Sequence, residues 1–172
     1  MKKVLLILGE LDNSDIDWIV ANSRKDKIPA GTVLIHEGQP ISTLYILLEG
    51  ELSVTTKVMG DREIANLTNG EVVGEMSFID THPPSATVTA KQDALVVAIP
   101  RESLATKLQE DLGFACRFYR ALAMVLSSRL RTTVNQLSGT VPSSPLSQAQ
   151  DDNHLALAQT RLDGFLQRLK GE

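Results

Sequence analysis

The residues of this chain best suited to binding chemistry lie between Val73 and Val88, in the run V-G-E-M-S-F-I-D-T-H-P-P-S-A-T-V. Gly74-Glu75 opens a short turn, an apolar stretch follows, and Ser85-Ala86-Thr87 closes the segment ahead of a strand. A glutamate is rarely buried without a partner, so Glu75, if buried, bonds either a ligand hydroxyl or backbone amides of its own loop. The amides of Ser85 and Ala86, with the Thr87 hydroxyl, can receive an anion or another polar group. His82 would add a charge at acid pH, although it reads more simply as an exposed loop histidine.

Other chemistry finds less support. His36-Glu37 in a β context suggests a cupin-like metal site, but such a site needs further histidines close in sequence. His82 and His154 are scattered, so no metal is expected. Cys116 falls on a helical stripe and reads as a small apolar core residue. No nucleophile–histidine–acid constellation and no glycine-rich nucleotide loop can be assembled, so no catalytic residues and no enzyme activity are expected.

The elements that must position the 74–87 segment follow from punctuation and periodicity. Ser14-Asp15-Ile16-Asp17 has the form of a capping box, and Ile16, Ile19 and Val20 share one face, predicting a helix over 14–22. From Thr32 to Pro100 the pattern is that of an antiparallel β structure. Its strand candidates are Thr32–His36, Leu44–Leu48, Glu51–Lys57, Glu63–Thr68, Ala86–Ala90 and Ala94–Ile99, separated by glycine-containing turns. Short strands at this spacing suggest a sandwich, jelly roll or barrel.

After Pro100 the period becomes helical, with a short helix over 101–109 and a long one over 111–137. Cys116, Tyr119, Ala123, Leu126, Leu130, Thr133 and Leu137 recur at alternating spacings of three and four, the seam by which a helix pairs with a partner. Phe114, Phe118, Leu122 and Val125 form a second stripe able to face the β domain. The competing reading joins both stripes into one wide core face. Residues 138–152, rich in Ser and Pro, read as a flexible linker, and 153–170 as an amphipathic helix. A lone helix of that length is marginal in water, so it should dock on its own domain, a sister subunit or another protein.

Composition bounds the function. The 172 residues carry a net charge of −4, which argues against a general nucleic-acid surface. One cysteine excludes an internal disulfide and fits a reducing cytoplasm. The apolar run near Met1 is short and acidic residues follow, so neither a secretory leader nor a membrane span is expected.

The 74–87 segment resembles the phosphate-binding cassette of cyclic-nucleotide-binding domains, which runs Gly-Glu, a hydrophobic turn, then Arg-Ala-Ala-Thr/Ser. The resemblance covers roughly residues 10–137. Pro29–Pro40 is similar to the family's opening strand and turn, and Leu44–Leu52 to its strand pair around Gly50. Gly70–Glu75 is similar to the cassette entry, and the long helix to the dimerisation helix of catabolite-activator-type (Crp/Fnr-like) bacterial regulators. It implies an α+β, mainly β fold: an eight-stranded β-roll or jelly roll flanked by helices.

It also implies a ligand pocket at Gly74, Glu75, Ser85, Ala86 and Thr87, with Glu75 on a ribose 2′-hydroxyl and backbone amides on a cyclic phosphate. The family's phosphate-binding Arg is replaced here by Pro84. Losing such a charge-assisted contact costs on the order of 2–5 kcal/mol. That is roughly thirty- to several-thousand-fold in affinity. Arg62 or Arg101 would have to supply the charge from elsewhere. Residues 138–172 are too few and too weakly basic for a helix-turn-helix.

The expected protein is therefore a cytoplasmic, non-enzymatic regulatory module, homodimeric through helix 111–137, with weakened or altered binding of cAMP or cGMP. The alternative is a degenerate domain that binds no nucleotide and acts as an oligomerisation or docking scaffold, with helix 153–170 offered to a protein partner.

Overall fold

A computed structural model describes residue 7, residues 9–138, and residues 160, 161, 164, 165, 167 and 168. After a helical turn containing Ile7, Gly9 and Glu10 come α1 (Asn13–Ala21), β1 (Arg24–Ile28), β2 (Val33–Ile35), β3 (Thr43–Glu49) and β4 (Leu52–Thr56). They are followed by a 3-10 turn (Lys57–Met59), β5 (Arg62–Leu67), β6 (Val72–Val73), α2 (Glu75–Asp80), β7 (Thr87–Ala90), β8 (Ala94–Pro100), α3 (Arg101–Glu110) and α4 (Leu112–Ser138).

The eight strands form two four-stranded antiparallel sheets, ordered β1-β8-β3-β6 and β2-β7-β4-β5. Alternation along β3 and β8 divides the core. Leu44, Ile46, Leu48, Val97 and Ile99 join the helices in one apolar cluster, while Leu47, Ala94 and Val96 join Leu52, Leu67, Val73 and Val88 in the other. Gly50 turns β3 into β4 at φ 107°, where an added Cβ would lie 2.8 Å from the Ala94 Cα. Only glycine fits there.

The structure shifts three expectations. The first helix is capped by Asp12 rather than Ser14: Asp12 Oδ1 accepts from the Asp15 amide at 2.9 Å, and Asp15 Oδ2 accepts from the Asp12 amide at 2.9 Å. Two strands, β1 and β6, were not anticipated. The sequence Arg24-Lys25-Asp26-Lys27-Ile28 shows no apolar alternation because it is an edge strand, paired only with β8. Cys116 is exposed, not a core residue.

The two stripes of the long helix separate as their spacing requires. Phe114, Phe118, Leu122 and Val125 are buried in the helix-side core. Tyr119, Ala123, Leu130 and Thr133 face solvent with Cys116, and Leu126 is half-buried. The Leu137 side chain and almost all of the 138–152 linker lie outside the described residues, as do Leu155, Leu162, Leu166 and Leu169 of the terminal helix. Among the described residues no helix is long and apolar enough to cross a membrane.

Candidate functional site

The short strand β6 pairs Val72 with Ile46 and Val73 with Tyr45, delivering the chain to the start of α2. Between them Gly74 adopts φ 91°, and an added Cβ would meet Ile41 Cδ1 at 2.8 Å and the Thr43 carbonyl oxygen at 3.2 Å. A side chain is excluded by conformation and by space, so glycine sets the angle at which α2 begins.

Glu75 is the first residue of α2 and is 4% exposed. Its partner is neither of those considered from the sequence. The Arg129 guanidinium, reaching from α4, donates through Nη1 to Glu75 Oε1 and through Nη2 to the Val72 carbonyl at 2.6 Å. One side chain thus holds both the strand β6 and the first turn of α2. Burying a carboxylate is costly without such a charge-assisted partner. Nε of Arg129 is buried and has no hydrogen-bond partner among the described residues.

Arg129 escaped the reading of the sequence, but a signal for it existed. Phe118, Leu122, Val125 and Arg129 are spaced four, three and four apart, so Arg129 occupies the next position of the inward stripe. A cation there requires a buried anion opposite, and Glu75 was already the unexplained one.

The second half of the segment has different partners. Thr81 ends α2 at φ 62°, an uncommon conformation for a β-branched residue. The exposed His82 donates its amide to Asp80 Oδ1 at 3.0 Å, and its Nδ1 lies 3.4 Å from Asp80 Oδ2. Pro84 is half-buried, and its carbonyl accepts from the Gly38 amide at 2.8 Å, tying the loop to the turn after β2. The Thr87 hydroxyl accepts from the Glu37 amide at 3.1 Å, and Glu37 Oε2 accepts from the Lys57 amide at 2.9 Å. Ser85 is exposed and Ala86 half-buried.

Of the two alternative arginines, Arg101 lines a small hollow together with Ile41, Thr43, Leu44, Gly74 and Phe78. Arg101 lies with its guanidinium carbon 5.7 Å from the Phe78 ring centroid, and Arg62 is exposed on β5. A larger open cleft, about 400 Å³, lies at the Glu49 end of β3, whereas Gly74 lies beside the Thr43 end. It is lined mainly by Lys27, Pro29, Glu49, Asp93 and Leu95 and touches none of the cassette residues. Among the described residues no cluster of His, Cys, Asp or Glu is arranged to hold a metal ion.

A second ionic system fixes α4 at its other end. Arg117 makes a bidentate pair with the 2%-exposed Asp15, Nε to Oδ2 at 2.6 Å and Nη2 to Oδ1 at 2.8 Å, and Nη2 also lies 3.1 Å from Asp12. The Asp15 hydrogen bond holds the Arg117 guanidinium in its charged form above its ordinary range. The Ser14 hydroxyl, the Asp15 amide and the charge of Arg117 hold the Asp12 carboxyl below its usual range. At the start of α4 the Phe114 amide, with Lys107 and Arg117, does the same for Asp111.

The order of strands, the glycine-set helix with a buried glutamate and the long helix across it agree with sequence comparison. Residues 25–111 match the cyclic nucleotide-binding domain. The chain belongs to that family. It is 30% identical over 132 residues to the CRP-like protein Clp of Xanthomonas campestris pv. campestris, a match covering 74% of this chain and 57% of that protein. The homologous protein of Xanthomonas oryzae pv. oryzae is 29% identical over the same shares. The chain therefore spans a little over half the length of these relatives.

Among solved structures, a cyclic nucleotide-binding domain from Methylobacillus flagellatus KT superposes with a TM-score of 0.72 at 23% identity, covering 82% of this chain and 84% of that one. The catabolite activator protein of Thermus thermophilus gives 0.64 at 21% identity, covering 96% and 86%. Both show the same fold. The c-di-GMP-responsive global regulator CLP of Xanthomonas campestris gives 0.64 at 28% identity, covering 74% and 63%.

Proposed function

We propose that this chain is a non-enzymatic regulatory module that senses a nucleotide-type ligand at the Glu75 pocket and works as a dimer through α4. The observation that carries the reading is the buried Glu75–Arg129 pair. It presents a carboxylate at the head of the cassette helix, poised to exchange part of its bonding for a ligand hydroxyl. The pair also limits affinity. The positive charge of Arg129 is already balanced by Glu75, and Pro84 offers no guanidinium to an arriving phosphate. A cyclic nucleotide therefore binds by its sugar and by backbone amides, more weakly than in a cassette that carries an arginine.

The exposed α4 stripe supports the dimeric reading. Tyr119, Leu130 and Val134 are 48%, 65% and 52% exposed on the face turned away from the core, a cost that pairing with a second helix would remove.

Calorimetric titration of the full chain with cAMP, cGMP and c-di-GMP tests the ligand reading, the last because a relative responds to it. Micromolar-range binding that is lost in Glu75→Gln supports the pocket. No heat with any of the three at millimolar concentration overturns it.

A further inference from the structure

The described residues of the C-terminal segment, Thr160, Arg161, Gly164, Phe165, Gln167 and Arg168, are helical, and three of them grip the N-terminal region of the same chain. Phe165 is 1% exposed and belongs to the helix-side core that contains Ile7, Leu11, Ile16 and Ile19. Arg161 Nη1 donates to the carbonyls of Gly9 and Leu11, both at 2.7 Å. Those carbonyls lie at the break between the first helical turn and α1, where backbone acceptors lack intrahelical partners. Arg168 pairs with Asp17 of α1. Residues 161, 165 and 168 are spaced four and three apart, so arginine, phenylalanine and arginine share one face.

The surface they meet is matched in charge. Within eight positions the N-terminal region carries Glu10, Asp12, Asp15 and Asp17. From one side α4 takes Asp12 and Asp15 with Arg117, and Glu10 with Arg120 at 3.0 Å. Asp17 is taken by Arg168 of the C-terminal segment. Its own apolar anchor among the described residues is Phe165; Thr160, Gln167 and Arg168 are exposed.

We propose that the C-terminal segment is a self-docked clasp that opens as a unit while the β-roll stays folded, and that it thereby controls access to the apolar N-terminal surface under Phe165. Two features make the clasp releasable. Among its described residues the segment is held by one buried ring and a few arginine contacts, a small fraction of the core, so local opening lies below global unfolding. The Arg168–Asp17 pair is solvent-accessible and screened by salt. A consequence is autoinhibitory: the Phe165 ring is occupied by its own chain, so it can engage another protein only by leaving its seat.

Trypsin digestion of the full chain under native conditions tests this, with the Phe165→Asp and Asp17→Lys variants alongside. In Phe165→Asp, cleavage after Arg161 and Arg168 should be at least about ten-fold faster than in the unaltered chain, leaving a protected core that includes the β-roll, α3 and the buried part of α4. Asp17→Lys should accelerate the same cuts by roughly two- to five-fold, less than the loss of the plug. Equal rates in all three proteins would mean that the segment is not docked. Digestion of the β-roll together with the segment would mean one cooperative core and no clasp. Should Phe165→Asp fail to fold, hydrogen exchange on the unaltered chain decides. The described amides of the segment should exchange at least about a hundred-fold faster than those of β3 and β8, yet more slowly than unstructured peptide. Rates equal to β3 and β8, or to free peptide, overturn the clasp.

Discussion

Arg129 and Glu75 stand 54 positions apart in sequence and form an ion pair that ties α4 to the first turn of α2. The two ends of the pair are not equally buried: the Glu75 side chain is 5% exposed and that of Arg129 24%. Removing either partner strands the other, and the deeper one suffers more. Arg129→Met should therefore cost about 3–5 kcal/mol, Glu75→Gln clearly less, and the double variant less than the sum. Urea denaturation of the three variants measures this. Additive losses would mean that the two side chains do not interact.

Position 84 can be tested by restoring what the cassette lacks. The backbone carbonyl of Pro84 accepts from Gly38, a contact that any residue can keep. Pro84→Arg should tighten cAMP or cGMP binding by about ten- to a hundred-fold, the worth of a hydrogen bond to a charged group. Unchanged affinity would place the weakness of the pocket elsewhere.

The outward stripe of α4 makes a prediction about mass. Leu130→Glu, at a side chain 65% exposed in the single chain, should leave the β-sheet circular dichroism unchanged, make the melting temperature independent of protein concentration, and convert a dimer to a monomer by light scattering. A protein already monomeric at tens of micromolar, by rough expectation for a helix pair of this length, would refute pairing through this seam.

Acid should loosen the N-terminal end of α4. The carboxyls of Asp12 and Asp111 are more acidic when folded than when free: Ser14 acts chiefly on the first and the Phe114 amide on the second. Their contribution to stability is thus complete above the ordinary carboxylate range and is lost as pH falls through the lowered folded values, below about pH 4. The pH–stability curves of Asp12→Asn and Asp111→Asn should be flatter over that interval, at unchanged β-sheet circular dichroism. A slope equal to that of the unaltered chain would remove these carboxyls from the acid response.

Much of the fold was legible in the chain. Turn chemistry and alternation located six of the eight strands: β3 and β8 bury most of their residues, whereas the largely exposed β5 was marked by the turns at Gly60 and Gly70. The charged edge strand β1 and the two-residue β6 escaped because their pairing is set by partners distant in sequence, not by any local period. Asp12 rather than Ser14 capped the first helix because two acidic side chains at N-cap and N3 satisfy each other's backbone.

The site was legible only on its local side. Glu75 stood out as a carboxylate that would need a partner if buried, but the cation that pairs with it lies on a helix that the sequence shows as two apolar stripes. Reading Arg129 as the next inward position after Val125 would have closed the gap. The apolar side of the terminal helix signalled that it should dock and left its own domain, a sister subunit and another protein open; Phe165 is seated in the core of its own chain, a contact between residues so far apart that only the fold brings them together.

One arrangement in the core also has an optical meaning. The Trp18 and Phe114 ring centroids are 5.5 Å apart, Phe114 and Phe118 are stacked at 5.5 Å, and Phe118 meets Phe78 edge-on at 6.2 Å. The row runs from α1 to the cassette helix α2, and Trp18 is the chain's one tryptophan. Tryptophan emission from this protein therefore arises at the far end of a file of rings whose near end follows Glu75 by three positions. A ligand that tilts α2 would announce itself as a change of colour at α1, with no dye attached.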